Sequence, residues 1–463
     1  MVDFAERWFP DSYVFVLGAT VLAAVGSMLH GSPPMEVSRA FGDGFWNLLP
    51  FTMQMILVAV GGYVVSTSKP VAVALRRLAR APRTPRGAVV FVGAVSILLS
   101  LLNWGLSLIF SGLLVKEIAR RSDLRLDYRA AGAAAYLGLG CGFTLGLTSS
   151  AAQLQANTAS VPANLIAITG VIPFSETILT WQNGFVTLVV LVLSATICFW
   201  TAPPAGAERT AADLGVALDP EPALDPDPAQ QNATARPVAF LEDSPILTLA
   251  IVALALGWLV QTFASKPALV ALSGLNTYNY AILMIGMLLH WRPSSLVGAF
   301  ARAMPAVAGV ALQFPFYAGI AQMLTGARNG AGVSLSDALA NAFVGASASP
   351  AGFAVLVGVY SSILGFFIPS AGGKWVIEAP YVMKAANDVG AHLGWTVMVY
   401  NIAETLPNLI NPFWMLPLIG ILGLKVKDLI AYTSIQFFIH APIVLALAAM
   451  LMATFTFHSP SPP

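Results

Sequence analysis

The chain has 463 residues, of which 57% are hydrophobic and only 10% are charged. Ordinary soluble domains are about a quarter charged, so this composition excludes a soluble protein and predicts an all-α polytopic membrane protein. The net charge of +1 argues against a nucleic-acid partner, and the lipid bilayer is the expected surrounding. The two cysteines, Cys141 and Cys198, lie far apart in apolar stretches, so neither a disulfide nor a metal site is predicted.

The chain begins with an apolar run over residues 13–29, which we interpret as a retained first helix because no small-residue cleavage site follows it. Two basic loops come next. Six of the 23 Lys and Arg residues lie in residues 69–86 and five more lie in residues 116–129. Short basic loops of multi-pass proteins face the cytoplasm, so both loops are predicted to lie inside.

The apolar segment between these loops, residues 87–115, must leave the cytoplasm and return to it. As a helix it would be about 44 Å long, enough for one membrane crossing but not for two. It is therefore predicted to be a re-entrant hairpin that breaks at Asn103 and Gly105 in "LLNWGLS". Non-helical backbone at membrane depth needs protein or water around it, so this break predicts a cavity.

The elements that follow complete the first half of the chain and lead into the second. A broken helix is predicted at 131–156 and a returning helix at 184–200. Residues 201–243 alternate proline with acidic residues, which predicts a disordered cytoplasmic linker. Further helices are predicted near 245–263, 276–290 and 303–325.

The second half of the chain repeats the plan of the first. "SSILGFFIPSAGGKWVIEAPYVMK" again combines an apolar arm, a polar break with glycines and a second arm, and Gln313 before it aligns with Gln54. The order of crossings places this hairpin on the outer side, opposite to the first, which predicts an inverted repeat with two re-entrant helical hairpins and two broken helices. The predicted units are scaffold helices at 1–86 and 244–350 and transport regions at 87–200 and 351–463.

Three charged residues, Lys374, Glu378 and Glu404, cannot be placed on loops. A charge inside a membrane is costly, so these residues are predicted to be functional, with Glu378 and Glu404 as candidates for ion coupling. The alternative is that Lys374 and Glu378 form a structural pair that seals the hairpin. Glu404, Asn408 and Asn411 have the spacing of one helical face, and the prolines around them predict a break in that helix.

These features predict a secondary transporter whose site lies where hairpin tips and broken helices meet. The positive ends of half-helices favour an anion, so a small carboxylate is the expected substrate. Trp104, Trp375 and Phe413 are candidates to cover a short alkyl chain. The predicted substrate-binding residues are Asn103, Trp104, Gly105, Thr148, Ser149, Ser370, Gly372, Gly373, Lys374, Asn408 and Asn411.

Five motifs resemble the short-chain fatty acid transporter family, also called the AtoE family: "GDGFWNLLPFTMQM", "NWGLSLIFSGLLVKEIARR", "QFPFYAGI", "GGKWVIEAPYVM" and "NPFWMLP". The similarity extends over nearly the whole chain. It implies a carrier of acetoacetate, butyrate or similar monocarboxylates in the bacterial inner membrane, within the ion transporter superfamily. It also implies a homodimer with a scaffold domain and a transport domain that moves like an elevator.

The family's functional motifs can be placed on this chain by residue. Its Asn-Trp-Gly falls on Asn103, Trp104 and Gly105, and its Pro-Ser-x-Gly-Gly falls on Pro369, Ser370, Gly372 and Gly373. The chain departs from the family pattern at Lys374, Glu378 and Asn411, where the family has His, Gln and Gln. The coupling ion therefore stays open between H⁺ and Na⁺, and no other cofactor is expected.

Other classes of protein fit this sequence less well. A membrane-embedded hydrolase or acyltransferase needs a nucleophile with a base, or a metal site, and neither H-E-x-x-H nor G-x-S-x-G occurs. The chain is therefore predicted not to be an enzyme. The ATP-binding motif G-x-x-x-x-G-K-[ST] does not occur either, which argues against ATP-driven transport by this chain alone. A channel or pore for small carboxylates remains the alternative, because re-entrant hairpins also build pores.

Overall fold

The computed structural model describes residues 12–158, 161–204, 206–218, 239–265, 271, 274–347, 349–366, 368 and 370–460. In the first half of this described part, the α-helices are α1 Ser12–Leu29, α2 Pro34–Gly44, α3 Leu49–Ser66, α4 Lys69–Leu78, α5 Pro85–Ser100, α6 Trp104–Ala119, α7 Tyr128–Leu137, α8 Ser150–Ala156, α9 Ala163–Thr169 and α10 Trp181–Thr201. In the second half they are α11 Ala239–Asp243, α12 Ile246–Ser265, α13 Leu275–His290, α14 Pro293–Ala303, α15 Ala308–Gly326, α16 Leu335–Gly345, α17 Pro350–Gly365, α18 Ala371–Val389, α19 Leu393–Asn408, α20 Leu416–Leu422 and α21 Val426–Met452.

Several of these helices are long and apolar enough to cross a membrane. Within the described ranges there are five such spans, or six if the bent pair of α14 and α15 is one span. The five are α3, the segment Tyr128–Ala156 that contains α7 and α8, α10, α12 and α21. The predicted all-helical, multi-span membrane fold is therefore confirmed.

Helices α5 and α6 pack against each other as the two arms of the first hairpin. Each arm has 16 residues, which corresponds to about 24 Å of helix and is shorter than the hydrocarbon core of a bilayer. The arms are separated at Asn103, whose side chain caps α6 by accepting a hydrogen bond of 2.8 Å from the Leu106 amide. The break thus lies where the sequence predicts it, because an Asn side chain can satisfy an amide that a helix start leaves unpaired.

The first predicted broken helix is present between α7 and α8. Residues Gly138–Gly142 form a π-helical turn and Phe143–Leu145 form a 3₁₀ turn before α8 begins at Ser150. A Cβ atom on Gly138 would lie 2.2 Å from Oγ of Ser107, so this glycine allows the broken helix to approach arm α6 closely.

The second broken helix differs from the prediction in one respect. Helix α19 ends at Asn408, and a 3₁₀ turn over Phe413–Met415 leads into α20. Glu404 and Asn408 lie on α19, but Asn411 follows its end, so the prediction that Asn411 continues the same helical face is wrong. Pro412 explains the early end, because the residue before a proline is disfavoured in helical geometry.

The segment after α10 is more ordered than the linker predicted over residues 201–243. Asp127 Oδ2 accepts a hydrogen bond of 3.0 Å from the Arg209 amide, and the Tyr128 amide donates one of 2.9 Å to the Arg209 carbonyl. The prediction of disorder is therefore wrong for residues 206–218, whose backbone hydrogen bonds attach them to the start of α7. Residues 219–238 of the predicted linker lie outside the described residues.

The two halves of the chain make corresponding helix contacts. Arm α6 packs against α3, and arm α18 of the second hairpin packs against α15. Arm α5 packs against α7 and α10, and arm α17 packs against α19 and α21. Each hairpin thus lies between one helix from a predicted scaffold unit and the broken helix that follows it in the chain.

The placement of the two basic loops can be tested by labelling. Arg77 and Arg125 are both exposed, so a cysteine at either position is expected to react with a membrane-impermeant maleimide only from the cytoplasmic side. The native Cys141 and Cys198 are buried and should give little background. Gly330→Cys, at an exposed position after α15, serves as the control that is labelled from outside.

Labelling of Arg77→Cys and Arg125→Cys from opposite sides would mean that residues 87–115 cross the membrane fully. The re-entrant hairpin, and with it the inverted repeat, would then be excluded.

Candidate functional site

The tip of the first hairpin is held in place by Asn103. Its Nδ2 atom donates hydrogen bonds of 3.0 Å to the Val58 carbonyl on α3 and 2.9 Å to the hydroxyl of Tyr278 on α13, while its Oδ1 atom caps α6. The residue is 1% exposed. The side chain of this predicted binding residue is thus used to fix the tip against α3 and α13.

The first broken helix contributes two further predicted residues beside this tip. Oγ1 of Thr148 accepts a hydrogen bond of 3.3 Å from the Trp104 amide, the first amide of α6. Oγ of Ser149 accepts one of 3.4 Å from the Ala152 amide and caps α8. Both hydroxyls therefore accept hydrogen bonds from amides in the first turns of helices. Because Thr148 lies just before α8, its bond to the Trp104 amide brings the starts of α6 and α8 together.

The second tip has the same construction. Oγ of Ser370 caps α18 by accepting a hydrogen bond of 3.2 Å from the Gly373 amide. A Cβ atom on Gly372 would lie 3.1 Å from Cβ of Ser150 at the start of α8, so the second tip approaches the first broken helix closely. Pro369 lies outside the described residues.

Gly105 and Gly373 face neighbouring helices. A Cβ atom on Gly105 would lie 2.8 Å from the Ala59 carbonyl oxygen on α3, and one on Gly373 would lie 2.0 Å from the ring of Tyr317 on α15. Each glycine permits the close approach of a hairpin arm to its partner helix. Their small size is therefore required for helix packing behind the tips.

The two tips and the two broken helices line a cavity that is partly open. Its walls come from both hairpins, from both broken helices, and from α3 and α15. The residues that line it are Met55, Trp104, Leu139, Phe143, Ser150, Val310, Phe314, Ser370, Ala371, Gly372, Asn408 and Trp414. The cavity predicted from the break at Asn103 therefore exists, and it is mainly apolar with a few polar groups.

Helix starts give this cavity its electrostatic character. Trp104 begins α6, and Ala371 begins α18, and both residues line the cavity. A helix start carries a partial positive charge, which favours an anion, even where side-chain caps already accept hydrogen bonds from some of its amides. The apolar side chains of Met55, Val310 and Phe314 complete a surface suited to a small anion with an alkyl part.

Lys374 lies in the first turn of α18, and its side chain is fully buried. Its Nζ atom is 2.6 Å from Oε2 of Glu404 on α19 and 3.2 Å from Oε1 of Glu378, one turn along α18. Nζ also donates a hydrogen bond of 2.7 Å to the Ser361 carbonyl on α17 and lies 4.6 Å from the centre of the Tyr400 ring. One ammonium group thus joins α17, α18 and α19.

We call Lys374, Glu378 and Glu404 the buried cluster. Glu378 also accepts a hydrogen bond from the Ser361 hydroxyl, whereas Oε1 of Glu404 has no hydrogen-bond partner in the described part of the chain. With both carboxylates ionised, the single ammonium group would leave the cluster with a net charge of −1, whereas one bound proton or other cation makes it neutral. An uncompensated buried charge is costly, so a proton or another cation is needed to balance it.

The buried cluster lies next to the cavity rather than in its wall. The side chain of Asn408, one helical turn after Glu404, lines the cavity, and its Oδ1 atom has no hydrogen-bond partner among the described residues. Lys374 contacts both carboxylates and is not among the lining residues. Asn411, at 9% exposure, is buried beyond the end of α19 and is not a lining residue either.

The three predicted aromatic residues have different positions. Trp104 lines the cavity, and its ring makes an edge contact with Trp414 at a centroid distance of 5.8 Å. Trp375 is fully buried and packs on Tyr400 at 4.5 Å, so it is a core residue and does not cover the cavity. The side chain of Phe413 lies outside the described residues.

Sequence reasoning missed several residues of the site. Trp414 and Phe314 line the cavity, and Tyr400 and Ser361 contact Lys374. Trp414 and Phe314 belong to the quoted motifs "NPFWMLP" and "QFPFYAGI", so their sequence position was a usable signal. Tyr400 and Ser361 gave no comparable signal, because an aromatic or hydroxyl residue in a membrane helix is common.

A separate group of possible metal ligands consists of Glu176, His392 and His458, whose ligand atoms all lie within 4.8 Å of one another. Nδ1 of His392 accepts a hydrogen bond of 3.0 Å from the Trp395 amide and caps α19. Burial and the neighbouring His458 lower the pKa of His392 to about 4, so the ring is neutral and carries its proton on Nε2. This arrangement favours a helix cap beside a contact of 3.3 Å between Nε2 of His458 and Oε2 of Glu176 over a metal site.

Comparisons with known proteins find relatives over nearly the whole length of this chain. A family model described as "Short chain fatty acid transporter" matches residues 1–452. Two relatives carry the name "Putative short-chain fatty acid transporter". The one from Escherichia coli (strain K12) is 34% identical over 438 residues, covering 93% of this chain and 94% of the relative. The one from Haemophilus influenzae is 30% identical over 449 residues, covering 96% and 97%.

Two solved structures share the fold. The YdaH transporter of Alcanivorax borkumensis, reported to have an unusual topology, has a TM-score of 0.59 and 19% identity, covering 97% of this chain and 99% of that chain. MtrF of Neisseria gonorrhoeae, reported with a class of antimetabolite efflux pumps, has a TM-score of 0.61 and 13% identity, covering 100% and 99%. At these identities the likeness concerns the fold alone.

Proposed function

Because the chain belongs to the short-chain fatty acid transporter family, which consists of transporters and not enzymes, we propose that it carries short-chain monocarboxylates across the bacterial cytoplasmic membrane. Acetoacetate and butyrate are the proposed substrates. The protein is a secondary active transporter driven by a coupled cation. The observation that carries this proposal is the cavity lined by both hairpin tips, with its apolar walls and two helix starts.

The substrate carboxylate is placed at the polar part of the cavity, near Ser370, Gly372 and Asn408. The start of α18 offers amide groups and a partial positive charge there, which compensate for water lost by the carboxylate. The alkyl part contacts apolar residues such as Val310 and Phe314. In this arrangement Lys374 does not contact the substrate directly. Its ammonium group lies one turn into α18, outside the cavity lining, and is held by two carboxylates.

The buried cluster is the proposed coupling site. Two carboxylates share one ammonium group, so the cluster takes up one proton or one other cation at little electrostatic cost. Glu404 is one helical turn from Asn408 in the cavity wall, which links the charge of the cluster to the occupancy of the cavity. Cation uptake next to the cavity also favours an anion within it, because opposite charges attract strongly in a low-dielectric interior.

The transport movement is proposed to follow the elevator mechanism of an inverted repeat. Hydrogen bonds of 2.9 Å from the Tyr136 hydroxyl to the Asn408 carbonyl and from the Thr144 hydroxyl to the Asn401 carbonyl tie the two broken helices together. The two hairpins pack on these broken helices. These contacts support the movement of residues 87–200 and 351–463 as one unit against a scaffold, for which the family resemblance implies a homodimer.

The elevator motion can be tested by cross-linking the two proposed units. Nζ of Lys384 on α18 is 2.6 Å from Oδ1 of Asp337 on α16, so this ion pair connects a transport region with the scaffold. In Lys384→Cys/Asp337→Cys, a short thiol cross-linker is expected to abolish butyrate uptake, and cleavage of the linker should restore it. The matched control is Gln182→Cys/Thr454→Cys, whose native side chains are 2.9 Å apart within the proposed moving unit.

Equal uptake before and after complete cross-linking of the Lys384→Cys/Asp337→Cys pair would argue against relative movement of these units. Inhibition by the control cross-link would show that movement also occurs within the proposed transport unit.

Purified protein in liposomes tests the function itself. We expect saturable uptake of radiolabelled butyrate or acetoacetate when an inward gradient of the coupling cation is imposed, with Na⁺ and H⁺ gradients applied separately. Unlabelled substrate inside the vesicles should stimulate uptake by counterflow, which distinguishes a carrier from a channel. Absence of uptake and counterflow with active, folded protein would contradict the proposal.

A further inference from the structure

A second cavity lies beside the first and shares one wall with it. It is partly open and is lined by Ala59, Tyr63, Leu108, Ile109 and Val307, among other residues. Trp104 and Trp414 line both cavities, and among the described residues they are the ones common to the two linings. The two indole rings meet edge to face, with a centroid distance of 5.8 Å and an interplanar angle of 72°.

The two cavities differ in chemistry. Ser150, Ser370 and Asn408 provide polar groups in the first cavity. The second cavity is almost entirely apolar, with the Tyr63 hydroxyl and the Trp104 and Trp414 ring nitrogens as its polar side-chain groups. The first cavity therefore offers a carboxylate more polar partners, including the start of α18, whereas a hydrocarbon chain is compatible with both.

The two tryptophans that separate the cavities are each held at a helix break. The Trp104 amide donates a hydrogen bond of 3.3 Å to Oγ1 of Thr148, which fixes this residue at the tip of the first hairpin. Trp414 lies in the short 3₁₀ turn after α19, at the break of the second broken helix. The wall is thus built from the breaks of both repeats, and its closure depends on two large side chains.

On the basis of the proposed function, we propose that the Trp104 and Trp414 pair ends the acyl-chain pocket and sets the maximum length of the carboxylate that is transported. The carboxylate of a substrate lies in the first cavity, and its chain extends towards the two indole rings. A chain that is too long collides with them, although an apolar space lies directly behind. Shortening either side chain joins the two cavities and lets a longer chain enter the second one.

The size of the effect follows from the burial of the added methylene groups. Each methylene moved from water into an apolar site improves affinity by about fourfold. For octanoate compared with butyrate, we therefore expect the ratio of affinities to rise by at least tenfold in Trp104→Ala and in Trp414→Ala. Butyrate also loses contact with the indole ring that is removed, so the ratio of the two affinities, and not the affinity for butyrate alone, is the quantity that tests the inference.

The test uses full-length protein and straight-chain carboxylates from acetate to octanoate as probes. Competition against radiolabelled butyrate in liposomes gives the inhibition constant of each acid, and thermal stabilisation of purified protein gives a second measure that does not require transport. Trp104→Phe and Trp414→Phe keep an aromatic wall and should retain most of the native chain-length profile. Trp200→Ala, at a position of α10 that is 76% exposed, is the control for loss of a tryptophan.

A shift of the optimum towards longer chains in both alanine variants, but not in Trp200→Ala, is the expected result. An unchanged ratio of octanoate to butyrate affinity in the folded alanine variants would overturn the inference. If wild-type protein neither binds nor transports any of these acids, the proposed function fails instead, so the two failures are distinguishable.

Discussion

Replacement of Lys374 by methionine is expected to abolish uptake and to destabilise the protein strongly. Glu378 and Glu404 would lose the ammonium group that lies 3.2 Å and 2.6 Å from their oxygens. Removing one partner of a buried ion pair typically costs about 3–5 kcal/mol, because the remaining charge is left uncompensated. Thermal unfolding of purified protein and liposome uptake of butyrate measure the two effects separately.

A triple variant separates stability from function. In Lys374→Met/Glu378→Gln/Glu404→Gln the cluster has no charge, and the unpaired carboxylates of the single variant are gone. We expect most of the lost thermal stability to return, because neutral groups of similar shape avoid the cost of a buried charge. Uptake should remain absent if the cluster performs coupling.

Recovery of gradient-driven uptake in the triple variant would assign the cluster a structural role. This outcome corresponds to the alternative in which the charged pair only seals the hairpin, and the site would then consist of the cavity and its helix starts alone.

Glu404→Gln is expected to abolish accumulation of substrate against its gradient while preserving counterflow. The neutral amide keeps the shape of the side chain but cannot exchange a proton or bind a cation as a carboxylate does. Without uptake and release of the coupling cation, the carrier cannot return across the membrane without bound substrate. Exchange of one bound substrate for another does not require that return and needs no net cation movement. Gradient-driven uptake and counterflow, measured in the same vesicles, test this difference.

Glu378→Gln is the matched comparison, because Glu378 also contacts Lys374 but accepts a hydrogen bond from the Ser361 hydroxyl. Oε1 of Glu404 has no hydrogen-bond partner in the described ranges, so we expect Glu404→Gln to have the larger effect on accumulation. Normal accumulation in Glu404→Gln with a changed pH profile in Glu378→Gln would assign coupling to Glu378. Normal behaviour of both variants would exclude the buried cluster as the coupling site.

Much of this protein's organisation is encoded locally in the sequence. The length of apolar runs and the placement of basic loops predict the spans, and the polar residues at Asn103 and Ser370 predict the breaks. These predictions work because a membrane allows few backbone structures and because Asn and Ser stabilise helix starts directly. The prediction that Lys374, Glu378 and Glu404 lie within membrane-embedded helices also follows from sequence, since charges are rare in apolar helices.

The partners of these residues could not be read from the sequence. Lys374 was predicted to bind substrate or to pair with Glu378, and only the packing of α19 against α18 places Glu404 at 2.6 Å from its ammonium group. The ordered structure of residues 206–218 could not be predicted either. It depends on hydrogen bonds to Asp127 and Tyr128, which lie in a distant part of the chain.

The contact between Trp104 and Trp414 likewise depends on both local sequence and long-range packing. From the sequence, Trp104 is expected to follow a helix break and Trp414 to lie in a proline-rich turn. The contact between the two rings, and the separation of two cavities by them, could not be predicted, because these residues come from different halves of the chain and meet only through the packing of the broken helices. Local chemistry specifies where a chain crosses, bends and begins a helix, whereas a site formed between the two halves depends on long-range packing.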